Sequence, residues 1–268
     1  MRTTHRKDSR RSFYDGFCTK NIRVLCLAAS QHNIAFFGGA GVSTECGLPD
    51  YRSPGGIYHT ARHYGRPPEE ILCRDCFAED PALFYRFYRD YFMAQANPGI
   101  THHTLAALER MGKHVSVITQ NVDGLHQAAG SRHVFALHGN AAVLRCVRCG
   151  KQFSRQVLQN ESSVPFCTCG GILKPQVVLY GEQLSPAVIR GASKALEQAS
   201  VLWVAGTSLR VYPAANLLSS FRGTHIVVVN REPTSIDGKA SLLFRDPIAD
   251  VCSALLPLLQ NVPEETYE

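Results

Sequence analysis

Six short, largely apolar stretches recur along the chain, and they constrain its fold more than any other feature: Ile34–Phe37, Val115–Thr119, Val134–Leu137, Val201–Ala205, Ile226–Val229 and Leu242–Phe244. Strands that read as apolar throughout are buried on both faces, which requires helices above and below the sheet. Helical segments separate several of them, notably Pro186–Gln198. The alternation predicts an α/β protein with a parallel sheet. At 268 residues and 45% apolar, the chain can bury a full core as one large domain or a domain with insertions. It has no internal repeat, no low-complexity tract and no apolar run long enough to cross a membrane.

Further helices are expected over Asn21–Ser30 and near Thr104–Met111. Asp80 followed by Pro81 reads as an N-cap and first helical position. From there Phe84, Phe87, Tyr88, Tyr91 and Phe92 fall on one helical face, a spacing that burial requires, until Asn97-Pro98-Gly99 ends the segment. One segment, Gly139 to Lys174, breaks the α/β rhythm and contains four cysteines.

The net charge of +6 is unevenly spread. Residues 1 to 23 hold seven basic groups against Asp8 and Asp15, so the remaining 245 residues carry only +1. A nearly neutral body is not the footprint of a specific nucleic-acid binder. The basic segment reads as a solvated extension. Its "SRRSF" resembles a twin-arginine signal, but the following "YDGFCTKN" is polar where such a signal needs an apolar stretch. Ten unevenly spaced cysteines suit a reducing compartment, so a cytoplasmic location is expected.

The stretch "IAFFGGAGVSTECGLPDYRS", Ile34 to Ser53, runs from an apolar strand into glycines, as a phosphate cradle does. A dehydrogenase fingerprint would read G-x-G-x-x-G. Here Gly39 and Gly41 are followed by Thr44, and no acidic residue stands about twenty positions on, where Ala61 and Arg62 lie. Hydride transfer is therefore disfavoured.

In "CVRCGKQF" and "FCTCGGILKP", Cys146 and Cys149 form one close pair and Cys167 and Cys169 another. Four thiolates so paired can build the tetrahedral shell that zinc prefers, and with no fifth ligand in view the metal would be structural. Two disulfides are the alternative. A third pair, Cys73 and Cys76, has no second pair nearby in sequence and reads as packing.

"TQNVDGLH" ends one strand with Gln120, Asn121 and Asp123, polar side chains where an α/β sheet binds ligands. "LHGN" ends another with His138, which follows a buried-type strand and precedes a glycine, so its side chain is expected to open into the cleft. His102 and His126 read as structural.

The glycine loop, "TQNVDGLH", "LHG", the two cysteine pairs, "GTSL" and "VVVN" fall in an order that resembles the sirtuin family, the NAD-dependent protein lysine deacylases, over roughly residues 21 to 250. The likeness is to bacterial members of the undifferentiated branch. It implies a Rossmann-like NAD-binding domain (21–53, 96–138 and 174–268), a helical insertion (54–95) and a zinc module (139–173), after the extension 1–20. The implied reaction consumes NAD, giving nicotinamide, free lysine and O-acyl-ADP-ribose.

By the same resemblance, Ala40, Gly41 and Thr44 line the phosphate loop, and Arg52 lies near the phosphates and ribose. Gln120 and Asn121 hold the nicotinamide ribose, Asn121 also being catalytic, while Asp123 and the backbone of Val122 bind the carboxamide. Thr207, Ser208 and Asn230 meet the phosphate and adenosine side, with Ile248 near adenine. His138 is the general base, an imidazole whose ordinary pKa lies near working pH.

Acylated peptide is expected between Val177–Glu182 and Ser208–Pro213, contacting Val178, Leu179, Tyr180, Gly181, Leu209 and Val211 and adding a strand through its backbone. Cys46 stands where the family commonly has serine, Leu48 and Val122 where it has isoleucine, and Gln176 where it has aspartate or asparagine. Tyr51 replaces a phenylalanine that shields the reactive ribose carbon, and Arg210 enters the substrate segment.

Family members that prefer succinyl or malonyl lysine use a Tyr-x-x-Arg pair, and this chain has none. Arg86 and Arg89 lie off the aromatic face and are expected in solvent, leaving an apolar acyl pocket. Two other readings remain open: a mono-ADP-ribosyltransferase on the same scaffold, and a zinc-ribbon nucleic-acid-binding protein.

Overall fold

The computed structural model describes residues 30–159 and 163–260. The basic segment, and the helix expected over Asn21–Ser30 apart from Ser30 itself, lie outside the described residues. Among the described residues nine strands form two sheets. The larger contains β1 (Asn33–Gly38), β2 (His114–Thr119), β3 (His133–Ala136), β7 (Val201–Ala205), β8 (His225–Val229) and β9 (Leu242–Phe244) in the order β3-β2-β1-β7-β8-β9, every neighbour parallel. These are the six apolar stretches; two coincide and the other four differ by one residue at one or both ends. The order reverses between β1 and β7, and the carboxyl ends of those strands form the crevice where sheets of this kind bind ligands.

Alternate residues of each strand supply two different cores, as the period of two requires. Phe36, Val117, Trp203, Val227 and Val229 face one side, where α5 (Ile100–Arg110) and α8 (Ile248–Gln260) cover them with Leu105, Leu108, Val251 and Leu255. Phe37, Ile118, Leu202, Val204 and Val228 face the other, under Ala192 and Leu196 of α7 (Pro186–Gln198).

A third core lies beyond the sheet. Four helices, α1 (Ile57–Thr60), α2 (Pro68–Ile71), α3 (Arg74–Glu79) and α4 (Pro81–Phe92), pack on a three-stranded antiparallel sheet of β4 (Gly139–Cys146), β5 (Gln152–Ser154) and β6 (Leu173–Val177). Asp80 caps α4 through a bond from the Leu83 N–H at 3.0 Å, and Phe84, Phe87 and Tyr88 are fully buried with Tyr91 and Phe92 at the margin. Tyr85 is fully buried as well, widening the face beyond the expected stripe. Its hydroxyl donates to the Leu173 carbonyl, and that of Tyr88 donates to the Ala141 carbonyl at 3.2 Å. Phe84→Ala here is expected to cost about 3–5 kcal/mol.

The expectation for the two arginines of α4 divides. Arg86 is exposed, its guanidinium 5.4 Å from the ring centre of Tyr64. Arg89 is not in solvent: half-buried, it donates to the carbonyls of Leu158 (3.4 Å) and Ser163 and lies over the Tyr85 ring. The reason is non-local, since the carbonyls that capture it belong to the cysteine-bearing segment. Cys73 caps α3, accepting from the Cys76 N–H at 3.2 Å, so that pair is a packing feature.

Candidate active site

The glycine loop closes against its neighbour across the switch point. Gly39 and Gly41 donate their N–H groups to the Ala205 and Gly206 carbonyls at 3.3 and 2.9 Å. A Cβ at Gly41 would lie 2.8 Å from Gly206 Cα, and Gly206 itself has φ +56°. The backbones of the β1 and β7 loops thus touch where only glycine fits. Thr44 then turns back, its hydroxyl donating to the Gly41 carbonyl at 2.9 Å.

Asn121 and Asp123, which follow β2, meet at Ser43, a residue that sequence reasoning passed over. Asn121 Nδ2 donates to Ser43 Oγ at 3.0 Å, and Ser43 Oγ donates to Asp123 Oδ2 at 2.7 Å. The Leu125 N–H holds Asp123 Oδ1 at 2.9 Å. Ser43 is 2% exposed, so these bonds orient both side chains in a buried setting. The only signal available in the sequence was its place between Gly41 and Thr44.

His138 leaves β3 one residue before Gly139, which has φ +86° and whose Cβ would fall 2.1 Å from the Gln176 carbonyl oxygen. Its Nδ1 lies 2.9 Å from the Gln120 carbonyl oxygen. A carbonyl only accepts, so Nδ1 carries the proton and Nε2 keeps its lone pair. Burial pushes the His138 pKa below its ordinary 6.5, while the Gln120 bond opposes that shift. A cavity lined by Asn121, Asp123, His126 and Gly139 opens beside these groups.

On the far side of the switch point, the Thr207 N–H donates to Asn230 Oδ1 at 3.0 Å. Arg52 reaches over to Ser208 Oγ at 3.4 Å, its guanidinium also 5.7 Å from the Tyr58 ring centre. Ala40 is half-buried on the loop, and Tyr51 packs edge-on against Tyr58 at 6.4 Å. The Val122 carbonyl is taken by the Ala141 N–H at 2.8 Å. Ile248 is 8% exposed at the start of α8 and belongs to the first core, so it offers an apolar floor.

The first expected substrate segment runs beside His138, and the second follows the Thr207 turn. Val178 donates its N–H to the His138 carbonyl at 2.8 Å, and Tyr180 donates to Leu72 at 3.0 Å. Leu179 and Leu209 are buried core residues at 3% and 4% exposure, and their N–H groups donate to Glu182 Oε2 at 2.9 Å and Thr207 Oγ1 at 3.2 Å. Gly181 and Val211 lie in the segments that flank these two leucines.

NAD fits these residues on one observation in particular. The Gln120 Nε2 is buried and has no hydrogen-bond partner among the described residues. A buried donor without a partner costs about 1–3 kcal/mol, which a ligand hydroxyl at that point removes.

Zinc fits the cysteines. Cys146 and Cys169 sulfurs stand 3.4 Å apart, Cys149 and Cys167 sulfurs 3.7 Å, and all four lie within 4.8 Å of one another. Four sulfurs about 2.3 Å from a tetrahedral zinc are separated by about 3.8 Å, whereas a disulfide needs about 2.05 Å. The Cys149 N–H, 3.4 Å from Cys146 Sγ, is the largest cause drawing that thiol down to about 6. Glu45, Cys46 and His102 also lie together, but the single lone pair of His102 Nδ1 already accepts the Gly99 N–H at 3.2 Å. That group is a helix cap.

Residues 39–213 match the family model described as Sir2 family. The chain is 48% identical over 221 residues to an NAD-dependent protein deacetylase of Cutibacterium acnes, covering 82% of this chain and 91% of that one. It is 42% identical over 233 residues to one of Clostridium acetobutylicum, with 86% and 95% covered. Among solved structures, Sir2 with p53 peptide and NAD+ superimposes with a TM-score of 0.77 at 34% identity, covering 88% and 97% of the two chains. Sir2 bound to acetylated peptide does so with a TM-score of 0.75 at 32% identity, again covering 88% and 97%.

Proposed function

We propose, from the premise that this chain belongs to the Sir2 family and is an NAD-dependent protein deacetylase, that His138 is its general base and that NAD lies across the carboxyl ends of β1, β2, β7 and β8. NAD, when bound, would supply the electrophile, the ribose carbon that carries nicotinamide; with the acetyl group passing from the peptide lysine to that ribose, the products are nicotinamide, free lysine and O-acetyl-ADP-ribose. The observation that carries the assignment of His138 is its bond to the Gln120 carbonyl, which leaves Nε2 free to take a proton.

Gln120 and Asn121 orient the nicotinamide ribose, the first through its unpartnered Nε2 and the second from its anchor on Ser43. Asp123, held by Ser43 and the Leu125 N–H, receives the carboxamide with the Val122 backbone. Ala40, Gly41, Thr44 and Arg52 surround the phosphates; Thr207, Ser208, Asn230 and Ile248 form the adenosine side. Tyr51 walls the reactive carbon. The peptide lies along Val178–Gly181 and Leu209–Val211, held through backbone, with flanking side chains largely free.

Zinc on Cys146, Cys149, Cys167 and Cys169 closes a structural site that supplies folding energy. We divide the chain into the NAD-binding unit, a helical insertion (54–95) and a zinc module (139–173); the separate sheets support this, except that β6 carries the smaller sheet past 173 to Val177, and the last two units share a core. Partners are acylated-lysine proteins, without specific nucleic acid. Among the described residues no helix is long and apolar enough to cross a membrane. None of the eight described cysteines is in a disulfide, and a cytoplasmic setting, where thiols stay reduced, is part of this reading.

The test is incubation with acetylated peptide and NAD, followed by mass spectrometry of nicotinamide, O-acetyl-ADP-ribose and the protein. The expected products are the first two in equal amounts. ADP-ribosylated protein without peptide deacetylation would replace the reading with a mono-ADP-ribosyltransferase.

A further inference from the structure

The adenosine side of the cleft is built from two segments that share no covalent neighbourhood. One is the loop 230–237 after β8, which presents Asn230; the other is the link 245–247 between β9 and α8, which leads to Ile248. A single side chain spans them. Arg245 Nη1 donates to the carbonyl of Asn230 at 2.9 Å and to that of Glu232 at 3.2 Å, and Nη2 pairs with Asp237 Oδ2. Asp237 is itself held, its Oδ1 accepting the Thr234 hydroxyl at 2.5 Å and its Oδ2 the Thr234 N–H at 3.1 Å. The Asn230 Nδ2 donates to the Glu232 carbonyl at 2.7 Å, leaving its Oδ1 aimed at the Thr207 N–H.

We infer that Arg245, with Asp237, is a positioning residue for NAD: it fastens the loop 230–237 to the start of α8 and so prebuilds the adenosine end of the cleft. The inference rests on the placement of NAD given above. The planar guanidinium is suited to this role because one fork reaches two carbonyls and a carboxylate at fixed angles, which a lysine ammonium cannot reproduce. Asn230 is 8% exposed and its amide has both ends committed, so its orientation follows that of the loop. A loop that spends only a tenth of its time competent weakens apparent affinity about tenfold without changing the contacts made.

The test uses the full chain with zinc bound. Affinity for ADP-ribose is measured by calorimetry and steady-state rates are measured against NAD and acetyl peptide separately, for wild type, Arg245→Met, Arg245→Lys, Asp237→Asn and the Arg245→Met/Asp237→Asn pair. The expected result is an ADP-ribose Kd and an NAD KM raised about tenfold in each neutralising variant, no further loss in the pair, and partial recovery in Arg245→Lys. kcat at saturating NAD and the peptide KM should stay near wild type. Unchanged ADP-ribose affinity in the variants overturns the inference, as does a parallel fall of kcat, peptide affinity and Tm, which marks a scaffold role. Wild type that fails to bind ADP-ribose at all would instead defeat the placement of NAD.

Discussion

His138 Nδ1 lies 2.9 Å from the main-chain oxygen of Gln120, so one residue of the β2 loop decides which nitrogen of this imidazole is basic. The same loop carries the buried, unpartnered Gln120 amide. In the proposed placement of NAD, base and nicotinamide ribose are thereby referred to a single backbone segment.

His138→Ala should reduce deacetylation about 10²–10⁴-fold. The unfolding curve should stay close to wild type, because the side chain belongs to none of the three hydrophobic cores. In wild type the neutral form is the base, and burial lowers its pKa, so the acidic limb of kcat/KM belongs below pH 6.5. Initial rates over a pH series check this; a limb above neutrality, or near-normal activity of the variant, would remove His138 from the role.

Removal of the metal should unfold the zinc module and the helices packed on it together. Cys146 and Cys167 lie in the same core as Phe84 and Tyr88, so Cys146→Ala is expected to yield zinc-free protein with a markedly lowered Tm. Metal analysis and thermal melting are the measurements. A zinc-free variant with wild-type stability and activity would contradict the assignment.

Acetyl-lysine peptide should be turned over with at least about tenfold higher kcat/KM than its succinyl counterpart, because an unpaired carboxylate in an apolar pocket loses roughly 2 kcal/mol. Tyr85 and Tyr88 spend their hydroxyls on carbonyls of the zinc module, and Arg89 is committed to the Leu158 and Ser163 carbonyls. Arg86 is stacked over Tyr64. Succinyl preference in a side-by-side assay would mean that one of these groups turns toward the acyl chain.

Acid should destabilise the fold through a buried histidine pair. His102 and His126 pack with tilted rings, centres 4.6 Å apart, and burial, the largest cause for each, drives their pKa values to about 4 and about 3. Both values lie below the ordinary 6.5, so the unfolded chain binds more protons once pH drops under that point. Stability present above pH 6.5 is then lost as pH falls toward the folded values, at up to about 1.4 kcal/mol per pH unit for each imidazole. Urea unfolding between pH 7 and 5 measures the slope, and His126→Leu should flatten it. An unchanged slope in that variant would place the acid sensitivity elsewhere.

Gly139→Ala tests the turn behind the base. A Cβ there meets the Gln176 carbonyl at 2.1 Å in a left-handed conformation, so a loss of about 1–3 kcal/mol is expected together with displaced His138. Equal stability and rate would show that the turn relaxes freely.

What the sequence determined by itself was whatever leaves a local trace. The six strands, the aromatic face of α4 and the paired cysteines are visible because burial and ligation repeat at the period of a strand, a helix turn or a tight loop. The strand ends carrying Asn121, Asp123 and His138 followed from where those apolar runs stop. Only the tertiary structure decided how they meet. Ser43 reaches Asp123 across 80 residues and Asn121 across 78, contacts with no periodicity to announce them. Gly39 and Gly41 close on Gly206 from a distant strand, and Arg89, which local spacing sends to solvent, is captured by carbonyls of the zinc module some seventy residues away. Side-chain period records which face is buried; it does not record against what, because a partner from elsewhere in the chain contributes its donor or acceptor only after the fold has formed.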